Sequence, residues 1–369
     1  MRPSPPLRRP YPRSRPVQLP DVPGILEPQE IAATVDGIAE IQLADGMIPW
    51  FPGGHCDPWN HVEAAMALLV GGRRAEAERG YEWLRASQRA DGSWHHYYVD
   101  GGVEDPKFDA NVCAYPATGV WHHFVATGDR GFLEEMWPVV ERAIDWVLAL
   151  QTPRGEIKWA RHADGTPWPY AILTGSSSIF HSLRCAIAIA EELGRERPDW
   201  ELSAARLGYV IARRPEYFAP KDRWAMDWYY PVLTGVLTGD EARARLDDRW
   251  DTFVMEGLGV RCVADRPWIT AAETCECVIA HDAVGEQGKA LALFEWAQHL
   301  RLPDGSYWTG MVYPVEKTFP GGECSTYTAA AVVLAADVLA GTNPTSGLFR
   351  GETLPAFDAL AEDAVDDRR

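Results

Sequence analysis

Six clusters of carboxylate, amide, hydroxyl and aromatic side chains recur along the chain, each at the start of an apolar stretch. The first holds His55, Asp57, Trp59, Asn60 and His61; the second Asp109, Asn111 and Tyr115; the third Ser176, Ser177, Ser178 and His181. The fourth holds Asp227, Trp228, Tyr229 and Tyr230, the fifth Arg261, Trp268, Glu273 and Glu276, and the sixth Glu323, Thr326 and Tyr327. Such a mixture suits a polyhydroxylated ring, offering hydrogen-bond partners to its edge and flat apolar walls to its C–H face. Hydrolysis of a glycosidic bond needs two carboxyls, one protonated and one ionised. Glu273 is the expected general acid, because apolar surroundings raise a carboxyl pKa. Asp57 or Asp109 is the expected ionised partner, and Asp227 is the further catalytic candidate.

Each acid also has a plainer use. Asp57 precedes Pro58 and can cap a helix with proline at its first position. Thr270-Ala-Ala-Glu273 spells a capping box, and Asp109 and Asp227 can cap equally well. Glu63 and Glu276 differ, since they fall inside apolar helices where an unpartnered acid is costly and must have a partner or a function. The tryptophans that follow turns (Trp50, Trp94, Trp159, Trp268, Trp308) are expected to pack between elements, whereas Trp59, Trp228, Tyr229 and Tyr230 are expected on the pocket wall. Asp57 and His61 sit four apart on one helical face, but the spacing supplies no third ligand, so no metal or other cofactor is expected.

The elements that position these clusters are legible from periodicity. Segments 29–44, 74–90, 131–150, 199–213, 240–254 and 286–300 mix charged with apolar residues at helical spacing. They alternate with 62–71, 112–127, 179–193, 229–238, 271–285 and 326–340, which are apolar nearly all round and so must be buried on every side. Alternating strand patterns are scarce, which argues against a large sheet. The expected fold is all-α: an (α/α)6 toroid of six αα-hairpins, with amphipathic helices outside, apolar helices inside, and a funnel where the inner helices begin.

The expected barrel domain covers 25–341, with a Pro/Arg-rich disordered tail at 1–24 and a C-terminal tail at 342–369. No apolar run follows Arg8-Arg9, as a secretory or twin-arginine signal would require, and no stretch is long enough to span a membrane. Seven cysteines, an odd number, read as reduced thiols, and a cytoplasmic location is expected. A net charge of −18 argues against nucleic acid or an anionic membrane as partner. The expected partner is a small-molecule substrate, a sugar or glycoconjugate.

The hairpin pattern, with Gln-x-x-x-Gly turns at Gln42, Gln88 and Gln151, resembles the superfamily of α/α toroids. That superfamily includes squalene and terpene cyclases, protein prenyltransferase β subunits and six-hairpin glycosidases. More narrowly, the chain is similar to actinobacterial proteins labelled prenyltransferase. The isoprenoid motifs are missing: no Asp-x-Asp-Asp string occurs, Glu273-Thr-Cys275 is the nearest match to a zinc-binding Asp-x-Cys, and 323–341 holds no histidine. The resemblance therefore implies a carbohydrate-active enzyme, glycoside hydrolase-like or a sugar isomerase. A prenyltransferase or cyclase-like enzyme and a non-catalytic binding toroid are the alternatives.

Overall fold

The computed structural model describes residues 17–356. Six outer helices, α1 (Pro28–Ile41), α3 (Arg74–Ser87), α6 (Arg130–Leu148), α8 (Pro198–Arg213), α10 (Gly239–Asp248) and α13 (Gln287–Ala297), alternate with six inner positions. The inner ring is α2 (Pro58–Val70), the broken pair α4 (Ala110–Ala114) and α5 (Pro116–Thr127), α7 (Leu173–Glu192), α9 (Ala225–Leu233), α12 (Ala271–Ala283) and α14 (Thr326–Ala340). One further turn, α11 (Trp250–Phe253), follows α10. Each inner helix packs on the next, and α14 packs on both α1 and α2, which closes the circle. Strands are confined to pairs and one three-stranded ribbon in the loops over the mouth. The all-α toroid is thus observed.

The repeated Gln-x-x-x-Gly turn has a physical reason. After α1, α3 and α6 the glutamine amide donates twice, once within its own turn and once to the next outer helix: Gln42 to Gly46 O (3.0 Å) and Glu76 O (2.9 Å), Gln88 to Gly92 O (3.0 Å) and Val139 O (2.9 Å), Gln151 to Gly155 O (2.9 Å) and Ser203 O (3.0 Å). Glycine is needed because φ is +96° at Gly46 and +95° at Gly92, and a Cβ there would lie 2.2 or 2.3 Å from the carbonyl of Arg79 or Arg142. The repeat therefore staples neighbouring hairpins. Hairpin six meets hairpin one through Thr34 Oγ1 to Gly305 O (2.7 Å) and Thr326 N to Trp50 O (2.7 Å).

The described chain packs beyond the boundaries expected at 24 and 342. Val22 and Leu26 are buried, and Gln18 exchanges hydrogen bonds with Asn343. Residues 344–347 form a 3-10 turn whose cap and hydroxyls satisfy buried Asp337, and Leu348 and Phe349 are buried in the core. Phe349 stacks on His181 and Arg350 pairs with Asp282 at 2.6 Å, so this segment closes the end of the ring opposite the mouth. The rest of the two expected tails lies outside the described residues. Among the described residues, no helix is long and apolar enough to cross a membrane.

Candidate active site

The inner helices all begin at one end of the ring, and their unpaired N–H groups give that mouth a positive bias. Asp57 caps α2: its carboxylate accepts from Asn60 N (3.0 Å), Asn60 Nδ2 (2.8 Å) and Trp50 Nε1 (2.8 Å). Asp109 caps α4, accepting from the N–H groups of Asn111 (3.0 Å) and Val112 (3.3 Å). Capping is therefore real for both, and it fixes their orientation at the rim. Burial raises both carboxyls, Asp109 to about 6 even with Lys107 beside it.

The other two catalytic candidates are not caps. Asp227 lies within the first turn of α9 and accepts from the backbone N–H (3.2 Å) and hydroxyl of Thr174, which joins hairpin four to hairpin three. Helix α7 begins at Leu173, three residues before Ser176, so the serines lie inside the helix. Glu273 is half-buried in the first turn of α12, and the expected capping box is absent: the Thr270 side chain caps no N–H. Among the described residues no cation pairs with Glu273, and burial raises its carboxyl.

Deeper in the ring lies a second pair of acids, Glu276 about one turn beyond Glu273 and Glu63 nearly two turns beyond Asp57. Glu63 accepts from Trp59 Nε1 at 2.9 Å; Glu276 accepts from the hydroxyls of Tyr230 at 2.6 Å and Tyr229. Tyr115 also reaches Glu63. Burial is the main reason both are raised, Glu276 to about 7, and the two charges repel one another, so they titrate as a unit. These are the partners their sequence context demanded.

Aromatic rings line the rim. Trp50 bridges Asp57 to Tyr327, whose ring centroid is 4.8 Å away and whose hydroxyl feels the charge of Glu273. His55 stacks on Tyr97 at 4.1 Å and pairs with Glu104 at 3.1 Å. Beside them a cavity of about 250 Å³ is lined by Trp59, Asp109, Asn111, Trp159, Trp224 and Asp227, among others. The Asn111 side-chain oxygen is buried there without a partner. Unmatched polar groups beside aromatic faces are a fit for a sugar.

Several expected contacts are corrected. His61 belongs to the core: its Nδ1 accepts from Ile48 N (3.1 Å), its Nε2 meets Gly80 O (2.9 Å), and burial lowers it to about 4. Trp228 points outward, donating to Arg245 O at 2.9 Å and stacking on Phe253. Ser177 is tied back to Leu173 O (2.8 Å). Asn60 donates to Asp57, Tyr229 and Tyr230 donate to Glu276, and Tyr115 reaches Glu63. Trp268 stacks on Phe319 in the ribbon of Trp268–Thr270, Gly310–Val312 and Lys317–Phe319, and Glu323 joins that loop region by its carbonyl. Arg261 bridges Ile269 and keeps a buried Nε without a partner. Sequence reasoning missed Trp50, Trp159 and Trp224 as wall residues, while Trp94 packs as expected, fully buried and donating to Leu84 O.

No protein-family model matches the chain. It is 53% identical over 337 residues to an MMP endo-(1,4)-3-O-methyl-alpha-D-mannosidase of Mycolicibacterium hassiacum, covering 91% of this chain and 93% of that protein. Among solved structures it is similar to a glycosidase (TM-score 0.68, 15% identity, 89% and 97% of the two chains) and to a D-mannose isomerase (0.63, 12%, 84% and 96%). A cellobiose 2-epimerase from Spirochaeta thermophila is also similar (0.59, 13%, 85% and 96%). At these identities the solved structures speak to the fold, that of the six-hairpin glycosidases, and the prenyltransferase resemblance finds no counterpart among them.

Proposed function

The chain belongs to the family of the M. hassiacum MMP endo-(1,4)-3-O-methyl-alpha-D-mannosidase, and from that premise we propose that it is a glycoside hydrolase cutting internal (1,4) bonds of 3-O-methylated alpha-mannose chains. The observation that carries the mechanism is a pair of unlike carboxyls joined along one rim through Trp50 and Tyr327. Burial raises both carboxyls, but Asp57 is held by three N–H donors that work against the rise, whereas Glu273 has no cation beside it. Donors favour the ionised form and apolar burial the protonated one.

Glu273 gives its proton to the glycosidic oxygen as the bond to the anomeric carbon breaks. Asp57, ionised at the start, faces the developing positive charge and takes a proton from the water whose oxygen bonds the anomeric carbon; loss of that proton to solvent and uptake of one by Glu273 restore the starting state. Asp109, Asp227 and Asn111 hold sugar hydroxyls in the adjoining cavity, against Trp59 and Trp159. An O-methyl sugar is more apolar than its parent, which suits that aromatic lining.

The test is incubation with 3-O-methylated and unmethylated (1,4)-alpha-mannose oligosaccharides, with products read by mass spectrometry. Shortened methylated chains, released faster than unmethylated ones, are the expected result. Intact methylated chains after prolonged incubation with folded protein would refute the proposal.

A further inference from the structure

A second and larger cavity, about 460 Å³, opens outside the ring between hairpins three and four. One wall is the loop after α8, with Glu216, Phe218 and Asp222; the other is the end of α10, with Asp248 and Arg249. Arg249 donates to Asp222 O at 2.9 Å and so ties the walls together. Asp227 and Lys221 line this cleft and the rim cavity alike, so the two spaces meet at those residues.

At that crossing stands Trp224. Its indole is 45% exposed and borders the rim cavity. The backbone is fixed by a turn from Lys221 O (2.8 Å) and a bridge to Val263. Arg223 covers one side, its Cζ 5.3 Å from the ring centroid, and is itself held by Asp265 at 2.8 Å. The opposite face is left for a ligand. In the cleft beyond, carboxylates and cations occur in near balance around Phe218, a lining for a neutral polar chain with apolar faces.

We infer that the saccharide leaves the funnel between hairpins three and four, stacks a sugar unit on Trp224 and seats further units in this outer cleft. The inference rests on the hydrolase reading above and adds the path of the chain. An enzyme that cuts internal bonds must hold units beyond those at the cleavage point, and binding energy gathered there raises kcat/KM for long chains over short ones.

The experiment fills the cleft with Ala219→Trp, or with Asp248→Trp on the exposed opposite wall should the first variant fold poorly. Both residues line the outer cleft and not the rim cavity. For each protein, kcat/KM and, by calorimetry, Kd are measured for the shortest and a longer methylated (1,4)-mannose oligosaccharide. We expect the natural protein to prefer the longer chain, and the filled cleft to lower that preference about tenfold, chiefly by loss on the long chain. An unchanged preference overturns the inference while leaving the hydrolase reading intact. Binding that follows the predicted length dependence without any hydrolysis overturns the hydrolase reading and supports the chain path; absence of binding at both lengths overturns both.

Discussion

Helices α2 and α12 each carry acids at two levels, and the levels are built differently. At the rim, Asp57 is buried and accepts three hydrogen bonds, whereas Glu273 is half-buried with no cation beside it; deeper in the ring, Glu63 and Glu276 spend their oxygens on Trp59, Tyr115, Tyr229 and Tyr230. Glu273 and Glu276 share residue type and helix, yet Glu276 is satisfied by two tyrosine hydroxyls while Glu273 has capacity left for substrate. A carboxyl in this ring is assigned chemistry by what remains unsatisfied around it. The deep pair supports the rim, since Glu63 fixes the indole of Trp59 on the cavity wall.

The largest effect that would sharpen this contrast is expected from Glu273→Gln. Turnover of a methylated (1,4)-mannose oligosaccharide should fall about 10²–10⁴-fold, the usual worth of a general acid, with thermal stability unchanged because no capping box is lost. Asp57→Asn should fall by a similar factor. Asparagine still caps α2 but offers one oxygen where the carboxylate serves Trp50 Nε1, Asn60 N and Asn60 Nδ2, so calorimetry should find a loss of about 1–3 kcal/mol, and a folded variant that keeps its turnover would return Asp57 to a purely structural role. The pH profile should lose activity at its alkaline side as Glu273 gives up its proton, and Glu273→Gln should abolish that limb.

Glu276→Gln should act mainly on stability. A carboxyl raised in the folded state binds its proton more tightly there than in the unfolded chain. Stability is then lost as pH rises from the ordinary carboxylate range through about 7. Thermal unfolding of Glu276→Gln across that window should show a shallower fall than the natural protein, with activity reduced less than in the rim variants. An equal slope in both proteins would erase the distinction between levels. The smallest effect on turnover is expected from His61→Phe, which removes two core hydrogen bonds and should cost about 1–3 kcal/mol of stability with kcat intact.

The ring itself was legible because two kinds of helical periodicity alternate so regularly, and because the glutamine and glycine of the first three turns have a fixed structural duty. The starts of the inner helices were legible where a cap announces them, as at Asp57 and Asp109. Side-chain direction was not. Trp228, Tyr229 and Tyr230 are consecutive, so each points about 100° from the last; two reach Glu276 in the lumen and the third faces α10. Thr270 and Glu273 have the spacing of a capping box without its hydrogen bonds, which spacing alone does not decide. Trp224 carries no periodic signal, because its place depends on loops from hairpins four and five meeting at Val263. The segment after 342 lacks a helical pattern, yet Leu348 and Phe349 find burial by closing the far end of the ring.

The most direct test of the division of labour at the rim uses an aryl glycoside of the methylated mannose disaccharide bearing a dinitrophenol leaving group, which departs without needing a proton. If Glu273 is the acid, Glu273→Gln should hydrolyse this substrate at a rate near that of the natural protein while remaining inactive on the oligosaccharide, and Asp57→Asn should fail on both. Equal loss on both substrates in Glu273→Gln would contradict the assignment of the acid, and with it the claim that the two rim carboxyls hold opposite protonation states.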